Sequence, residues 1–229
     1  MATNRSDSPG RNDRGPVPSD TPPVRQTVVT LDLEGVLIPE VWVATAEATG
    51  IEALRRTTRD EPDYDVLMGE RLATLHENGL GLDDITQVIA GLSPLPGARE
   101  FLDELRATTQ VVLLSDTFEE FARPFMAQLG WPTVFCHRLE VDRSGRIIDY
   151  VLRQPDQKRR AVEALRGLNY RVLAAGDSYN DVSMLGSADH GFLFRAPENV
   201  ITEFPEFPAL TGYDELLAAF GPLLDSKVP

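Results

Sequence analysis

Three short apolar runs, rich in β-branched residues, recur along the chain, and each gives way to a polar and acidic pair or single acid. Val28-Val29-Thr30-Leu31 stops at Asp32, Val111 to Leu114 stops at Ser115 and Asp116, and Val172 to Ala175 stops at Gly176 and Asp177. Continuous apolar runs of this length fit strands covered on both faces. Between them lie helical periods. Ala98, Phe101, Leu102 and Leu105 follow the start signal Pro96-Gly97, and Ala161, Val162, Leu165 and Leu168 repeat the spacing. Strands alternating with helices predict an α/β fold with a parallel sheet. From about residue 39 to 93 the alternation breaks into several helical segments with no strand between them, so a helical lobe is expected between the first and second core strands. Leu139 to Tyr150 alternates around Asp-Arg-Ser-Gly, a hairpin signal.

Residues 1–26 hold five prolines, two glycines and three serines and almost nothing apolar, which predicts a disordered tail. The expected division is therefore a tail over 1–26, a core over 27–38 and 94–229, and a helical lobe over 39–93. A chain of 229 residues with 42% hydrophobic and 25% charged positions can bury a sizeable core. The formal charge of −14 repels phosphate backbones and anionic membrane surfaces, so neither nucleic acid nor membrane is an expected partner. No apolar run approaches the ~20 residues that span a bilayer, and the N-terminus lacks the basic-then-apolar pattern of a secretory signal. With one cysteine, Cys136, the expectation is a cytoplasmic protein. The sequence leaves oligomeric state open.

In an open parallel sheet, ligands bind beyond the carboxyl ends of the strands, so residues that end strands share a crevice. Asp32, Glu34, Ser115, Asp116, Asp177 and Asp181 would converge there. A single strand-ending acid is ordinarily a turn or helix cap, but three runs that each stop at an acid point to one site. Carboxylates crowded together raise one another's pKa values unless a cation neutralises them. Oxygen ligands without Cys or His at metal spacing select a hard divalent ion, Mg²⁺. His76, His137 and His190 sit at no ligand spacing and are read as structural. An aspartate beside such an ion can attack phosphorus, if a proton donor, a fixed positive charge and a hydroxyl or amide serve the phosphoryl group. A phospho-accepting signalling domain also gathers acids at strand ends, but it is about half this length, lacks a helical lobe after the first strand and accepts phosphate at a later strand.

The residues resemble a known family. Asp32-Leu-Glu34-Gly-Val is similar to the first motif of the haloacid dehalogenase-like phosphatases, Ser115 after Val-Val-Leu-Leu to the second, Lys158 to the third, and Gly176-Asp177-Ser-Tyr-Asn180-Asp181 to the fourth. The resemblance, strongest toward the bifunctional phosphoserine phosphatase / homoserine phosphotransferase subgroup, implies a Rossmann-like core with an inserted helical cap. It also implies Mg²⁺-dependent hydrolysis of a small molecule, phosphoserine, through an aspartyl phosphate, with homoserine as a further acceptor. Asp32 would be nucleophile and metal ligand, and Glu34 general acid, then base, with its carbonyl at the metal. Ser115 and Lys158 would hold the phosphoryl group, Asp177 would anchor the metal, and Asn180 and Asp181 would complete these surroundings. The family usually carries Asp where this chain has Glu34, one methylene or about 1.5 Å longer. Asp116 replaces the small residue of ordinary phosphoserine phosphatases, and either contacts the substrate ammonium or caps the next helix.

The four motifs handle phosphorus and leave another small phosphomonoester as an alternative; only the helical lobe discriminates. On a helix through Asp63 to Glu77, Arg71 falls within the stripe of Tyr64, Leu67, Met68, Leu72 and Leu75. An inward arginine needs an anion, either a substrate carboxylate or an internal acid, unless its stem packs while its head reaches water. The family's cap places an arginine at the matching position. Glu40 matches the acid that meets the substrate ammonium in that family; otherwise it is a first-turn acid favoured by the helix dipole. Arg59 is read as a surface charge, and Trp42 and Trp131 as packing residues.

Overall fold

A computed structural model describes residues 25–58, 60–61 and 63–225. β1 (Gln26–Leu31) leads into α1 (Val41–Thr49), a 3₁₀ turn (Glu52–Arg55), α2 (Tyr64–Glu77), α3 (Leu82–Ala90) and α4 (Ala98–Thr108) before β2 (Gln110–Phe118). There follow α5 (Glu119–Gln128), β3 (Thr133–Val141), β4 (Ile147–Val151), α6 (Gln157–Gly167), β5 (Tyr170–Gly176) and α7 (Val182–Ser187). The described residues end with β6 (His190–Phe194), α8 (Glu198–Glu203), β7 (Ala209–Leu210) and α9 (Tyr213–Asp225). The strands form one sheet in the order β4-β3-β2-β1-β5-β6-β7, parallel except for the β3–β4 hairpin. This is the expected α/β fold, with helices on both faces of a mostly parallel sheet.

The apolar runs are continuous because the central strands feed two cores. Val29 and Leu31 of β1 and Leu173 and Ala175 of β5 join a cluster with Phe101, Leu105, Phe121, Phe125, Leu216 and Phe220 from α4, α5 and α9. Val28, Val172 and Ala174 face the other way, onto Ala161, Val162, Met184, Leu185 and Val200 of α6, α7 and α8. The segment between β1 and β2 contributes Val41, Trp42, Ala46, Leu54, Met68, Ile85 and Ile89 to the first cluster. β1 thus lies between β2 and β5, with Leu31 opposite both Leu113 and Ala175. The carboxyl ends of these three strands meet at the point where the sheet's connections part to either side, the place where such sheets bind ligands.

Several expectations need correction. β2 does not stop at Ser115: it runs to Phe118, with its pairing to β3 interrupted between Leu114 and Phe118. Such an irregularity re-aims side chains at a strand end. β1 starts at Gln26, paired with Tyr170, and Arg25 just before it donates to Asp189 Oδ1 at 3.2 Å, so Gln26 belongs to the sheet and Arg25 is tied to it by its side chain. The remainder of that tail, 1–24, and Arg59 lie outside the described residues. Leu168 caps α6 and is 70% exposed, off the apolar face assigned to it. The hairpin is present, its turn tied by Asp142 Oδ1, which accepts from Ser144 N at 2.8 Å and Arg146 N at 3.1 Å. Among the described residues no helix is long and apolar enough to cross a membrane.

The two leucines should separate cleanly in urea denaturation. Leu102→Ala, in the buried core, costs roughly 2–5 kcal/mol, whereas Leu168→Ser changes stability by no more than about 0.5 kcal/mol.

Candidate active site

Asp32 directly follows β1, and its backbone N–H donates to Ala175 O at 3.0 Å, which fixes it against the end of β5. The chain then turns tightly: Leu37 N and Ile38 N both donate to Leu33 O, and Gly35 N donates to Ile38 O. Gly35 has φ +76°, and a Cβ there would stand 2.6 Å from Asp177 Oδ2, so only glycine lets this turn approach the β5 end so closely. Gly176 serves the same purpose on the other side, since its Cβ would meet Asp181 Cγ at 2.3 Å. The turn directs Glu34 toward α1, where its Oε2 accepts from the first helical amide, Val41 N, at 3.0 Å.

One buried ammonium ties the acids together. Lys158 Nζ, at the start of α6, donates to Asp181 Oδ1 at 2.8 Å and lies 3.0 Å from Asp32 Oδ1 and 3.6 Å from Asp116 Oδ2. Burial alone would lower the lysine's pKa; Asp181, Asp32 and Asp116 outweigh it and hold it above its ordinary value, so it stays charged. Burial, followed by Asp181 and Asp177, pushes the Asp32 carboxyl well up, against the pull of Lys158. The Lys158 contact lacks hydrogen-bond geometry, and no other donor among the described residues meets Asp32 Oδ1.

Asp32, Asp177 and Asp181 each place a carboxylate oxygen within 4.8 Å of the others, all three buried. A buried set of carboxylate oxygens with a single ammonium to offset its charge fits a hard divalent cation. Their shares differ. Asp181 Oδ2 accepts from Asp177 N at 3.0 Å and Ser178 N at 3.1 Å while Oδ1 takes Lys158, so this carboxylate is already engaged in shaping the loop.

The pocket above these acids is lined by Asp32, Glu34, Ser115, Lys158, Asp177 and Asn180 from the sheet side and by Glu40, Trp42, Tyr64 and Arg71 from the helical segment. Every candidate site residue from the sequence borders this pocket except Asp181, which lies just beneath it. Residues 27–189 match a family described as haloacid dehalogenase-like hydrolase. The chain belongs to the haloacid dehalogenase-like hydrolases. It is 61% identical over 193 residues to phosphoserine phosphatase ThrH of Pseudomonas aeruginosa, covering 84% of this chain and 94% of that one. A phosphoserine phosphatase of Pseudomonas syringae pv. tomato is likewise 61% identical, over 84% of this chain and 81% of its own. Among solved structures, a phospho-aspartyl intermediate analogue of phosphoserine phosphatase shares the fold with a TM-score of 0.71 at 19% identity, over 85% of this chain and 99% of that one.

Within this haloacid dehalogenase-like frame the helical segment supplies a buried cation. Arg71, 7% exposed, lies with its guanidinium 4.6 Å above the Trp42 ring and donates from Nη2 to Arg56 O at 2.8 Å. Its Nε is buried without an acceptor, and no carboxylate of the described residues forms an ion pair with it. Burial lowers its pKa to about 10, opposed by Tyr64, Glu34 and Glu40, which leaves it charged at neutral pH. Glu40 is the residue before α1, and its side chain does not cap that helix. Asp116 does not cap α5 either: it lies inside β2 and accepts from Asn180 Nδ2 at 2.9 Å and Gln157 Nε2 at 3.2 Å.

Sequence reasoning missed several contributors. Tyr64, read only as part of an apolar stripe, donates its hydroxyl to Asp116 O at 2.9 Å and so joins α2 to β2. His137, read as structural, lies 3.5 Å from Asp116 Oδ1 through Nε2. Gln157 and Thr117 carried no signal beyond adjacency to Lys158 and Ser115.

Because the Asp32 carboxyl is displaced upward, protons compete with a divalent cation for it. In calorimetric titration, Mg²⁺ affinity should fall as pH is lowered into the range where the Asp32 carboxyl takes up a proton, and pH-independent affinity would remove Asp32 from the ligand set.

Proposed function

We propose that this protein is a Mg²⁺-dependent phosphoserine phosphatase that works through a phosphoryl group carried on Asp32 and also transfers it to homoserine. The observation that carries the reading is a pocket with phosphoryl-transfer residues on one wall and, on the other, Glu40 and a buried Arg71 whose Nε lacks an acceptor. The two walls match the two ends of a phosphorylated amino acid. The relatives of 61% identity, named phosphoserine phosphatases, support the same substrate.

Mg²⁺ held by Asp32, Asp177 and the Glu34 carbonyl would supply positive charge to the phosphoryl oxygens; Asp181, whose oxygens are engaged, would set Asp177 and Lys158 in place. Arg71 pairs with the substrate carboxylate, for which a planar guanidinium is suited, and Glu40 receives the ammonium. Asp32 then forms an oxygen–phosphorus bond as the bond to the serine oxygen breaks, and Glu34 gives its proton to that leaving oxygen. Ser115, Lys158 and Asn180 meet the charge on the phosphoryl oxygens. Next, Glu34 takes a proton from water, the water oxygen bonds to phosphorus, and Asp32 is released with free phosphate.

The second attack must come from the side that the serine has left, because Asp32 occupies the opposite one. A homoserine acceptor therefore uses the same Arg71 and Glu40, and its hydroxyl reaches about 1.5 Å further, the length of one extra carbon-carbon bond. The helical segment over 39–93 acts in this reading as a cap over the core. The single cysteine accords with a reducing, cytoplasmic setting.

Phosphate release from L-phosphoserine should require Mg²⁺ and should drop by at least about 10³-fold in Asp32→Asn, since the covalent step disappears. With homoserine added, phosphohomoserine should appear alongside phosphate. Undiminished turnover in Asp32→Asn or in excess chelator contradicts the mechanism. Arg71→Ala should lower kcat/KM for phosphoserine roughly 10- to 100-fold, the value of charge-assisted hydrogen bonds, while changing p-nitrophenyl phosphate turnover little. Equal losses on both substrates remove Arg71 from carboxylate recognition.

A further inference from the structure

Four N–H groups from three other parts of the chain surround the Asp116 carboxylate. Oδ1 accepts from Gln157 Nε2 at 3.2 Å and faces His137 Nε2 at 3.5 Å. Oδ2 accepts from Asn180 Nδ2 at 2.9 Å and lies 3.6 Å from Lys158 Nζ. Each oxygen thus accepts one hydrogen bond and has a second N–H group 3.5–3.6 Å away, so the carboxylate is engaged from within the chain. The far side of the network is fixed as well. His137, 3% exposed, accepts from Arg153 N at Nδ1 (3.1 Å), which sets the neutral ring in the tautomer whose Nε2–H points at Asp116. Gln157 Oε1 accepts from Arg153 Nε at 3.0 Å, and its Nε2 is shared with Ser115 O.

We propose that Asp116, backed by His137 and Gln157, is a positioning residue that holds the Lys158 ammonium and the Asn180 amide at the places where they meet the phosphoryl oxygens. The inference rests on the phosphatase reading and adds to it a support that the four motifs do not contain. An extra anion so near a phosphoryl site is unfavourable in itself, so its presence needs a structural return. That return is orientation. Lys158 has three carboxylates around it, and without Asp116 its ammonium would be drawn wholly toward Asp32 and Asp181, away from Asn180. Asn180 would lose the acceptor of its Nδ2 and keep only the Ser178 hydroxyl on its Oδ1 to orient the amide. Burial alone would raise the Asp116 pKa; Lys158, His137, Asn180 and Gln157 together hold it well below the usual carboxylate range, so the support stays charged through the working pH.

The test compares Asp116→Asn, His137→Ala and His137→Gln with the wild-type protein, each checked for an unchanged melting transition. Steady-state kinetics on phosphoserine are combined with fluorine NMR of the Mg²⁺–fluoroberyllate adduct on Asp32, whose fluorines stand in for the phosphoryl oxygens. Asp116→Asn keeps the shape but turns an NH₂ against two of the four donors. It should lower kcat about 10-fold or more with KM moving less than about threefold, and should shift the fluorine resonance facing Lys158 and Asn180. His137→Ala should do the same to a lesser degree, and His137→Gln, which restores a donor near Nε2, should recover most of the loss. Kinetics and resonances both unchanged in Asp116→Asn would overturn the inference. A lower kcat with unshifted resonances would overturn it too, by assigning Asp116 a merely structural role. A wild-type protein that neither hydrolyses phosphoserine nor takes up fluoroberyllate would sink the phosphatase reading itself.

Discussion

The site depends on the burial of a single ammonium. Lys158 is 2% exposed and has carboxylates of Asp32, Asp181 and Asp116 around it. A buried charge of either sign is costly unless paired, and here neither the lysine nor the acids could be tolerated alone. One positive charge against this many negative ones leaves the cluster anionic. A divalent cation is the natural complement, and an anionic group enters such a site only with that cation's charge beside it.

The scaffold delivers that arrangement through a simple geometric rule. β1 pairs with β2 on one side and β5 on the other, Leu31 lying opposite both Leu113 and Ala175, so Asp32, Ser115 and Asp177 stand within one residue step of one another on strands far apart in sequence. The alternate inward faces of the strands bury two separate cores, which makes the sheet a rigid plate beneath the crevice. The helical segment packs on the first of those cores with Trp42 and Met68 and thereby brings Arg71 over the acids from the other side.

How far this was legible from residues alone follows the range of the interactions. Asp32, Glu34, Lys158 and Asp177 were readable because strand ends and short motifs mark them locally. The hairpin was readable because its turn chemistry lies within a few residues of Asp142. Asp116 was ambiguous, since its partners Gln157 and Asn180 lie 41 and 64 positions away and no local pattern shows them. The same holds for Tyr64, whose hydroxyl finds Asp116 O 52 positions on. Ser115 and Asp116 looked like the end of a strand, because polar residues after an apolar run give the same signal whether a strand stops or bends. Leu168 fitted a helical period that the helix itself left one residue earlier.

No described residue accepts from the buried Nε of Arg71. A buried donor that no acceptor meets costs about 1–3 kcal/mol, a deficit that a ligand can cancel. A ligand with a suitably placed carboxylate relieves the deficit, and one without it leaves the deficit in full, which is how a polar site rejects near-analogues more sharply than an apolar one can. Discrimination between ligands is thereby concentrated at one nitrogen atom.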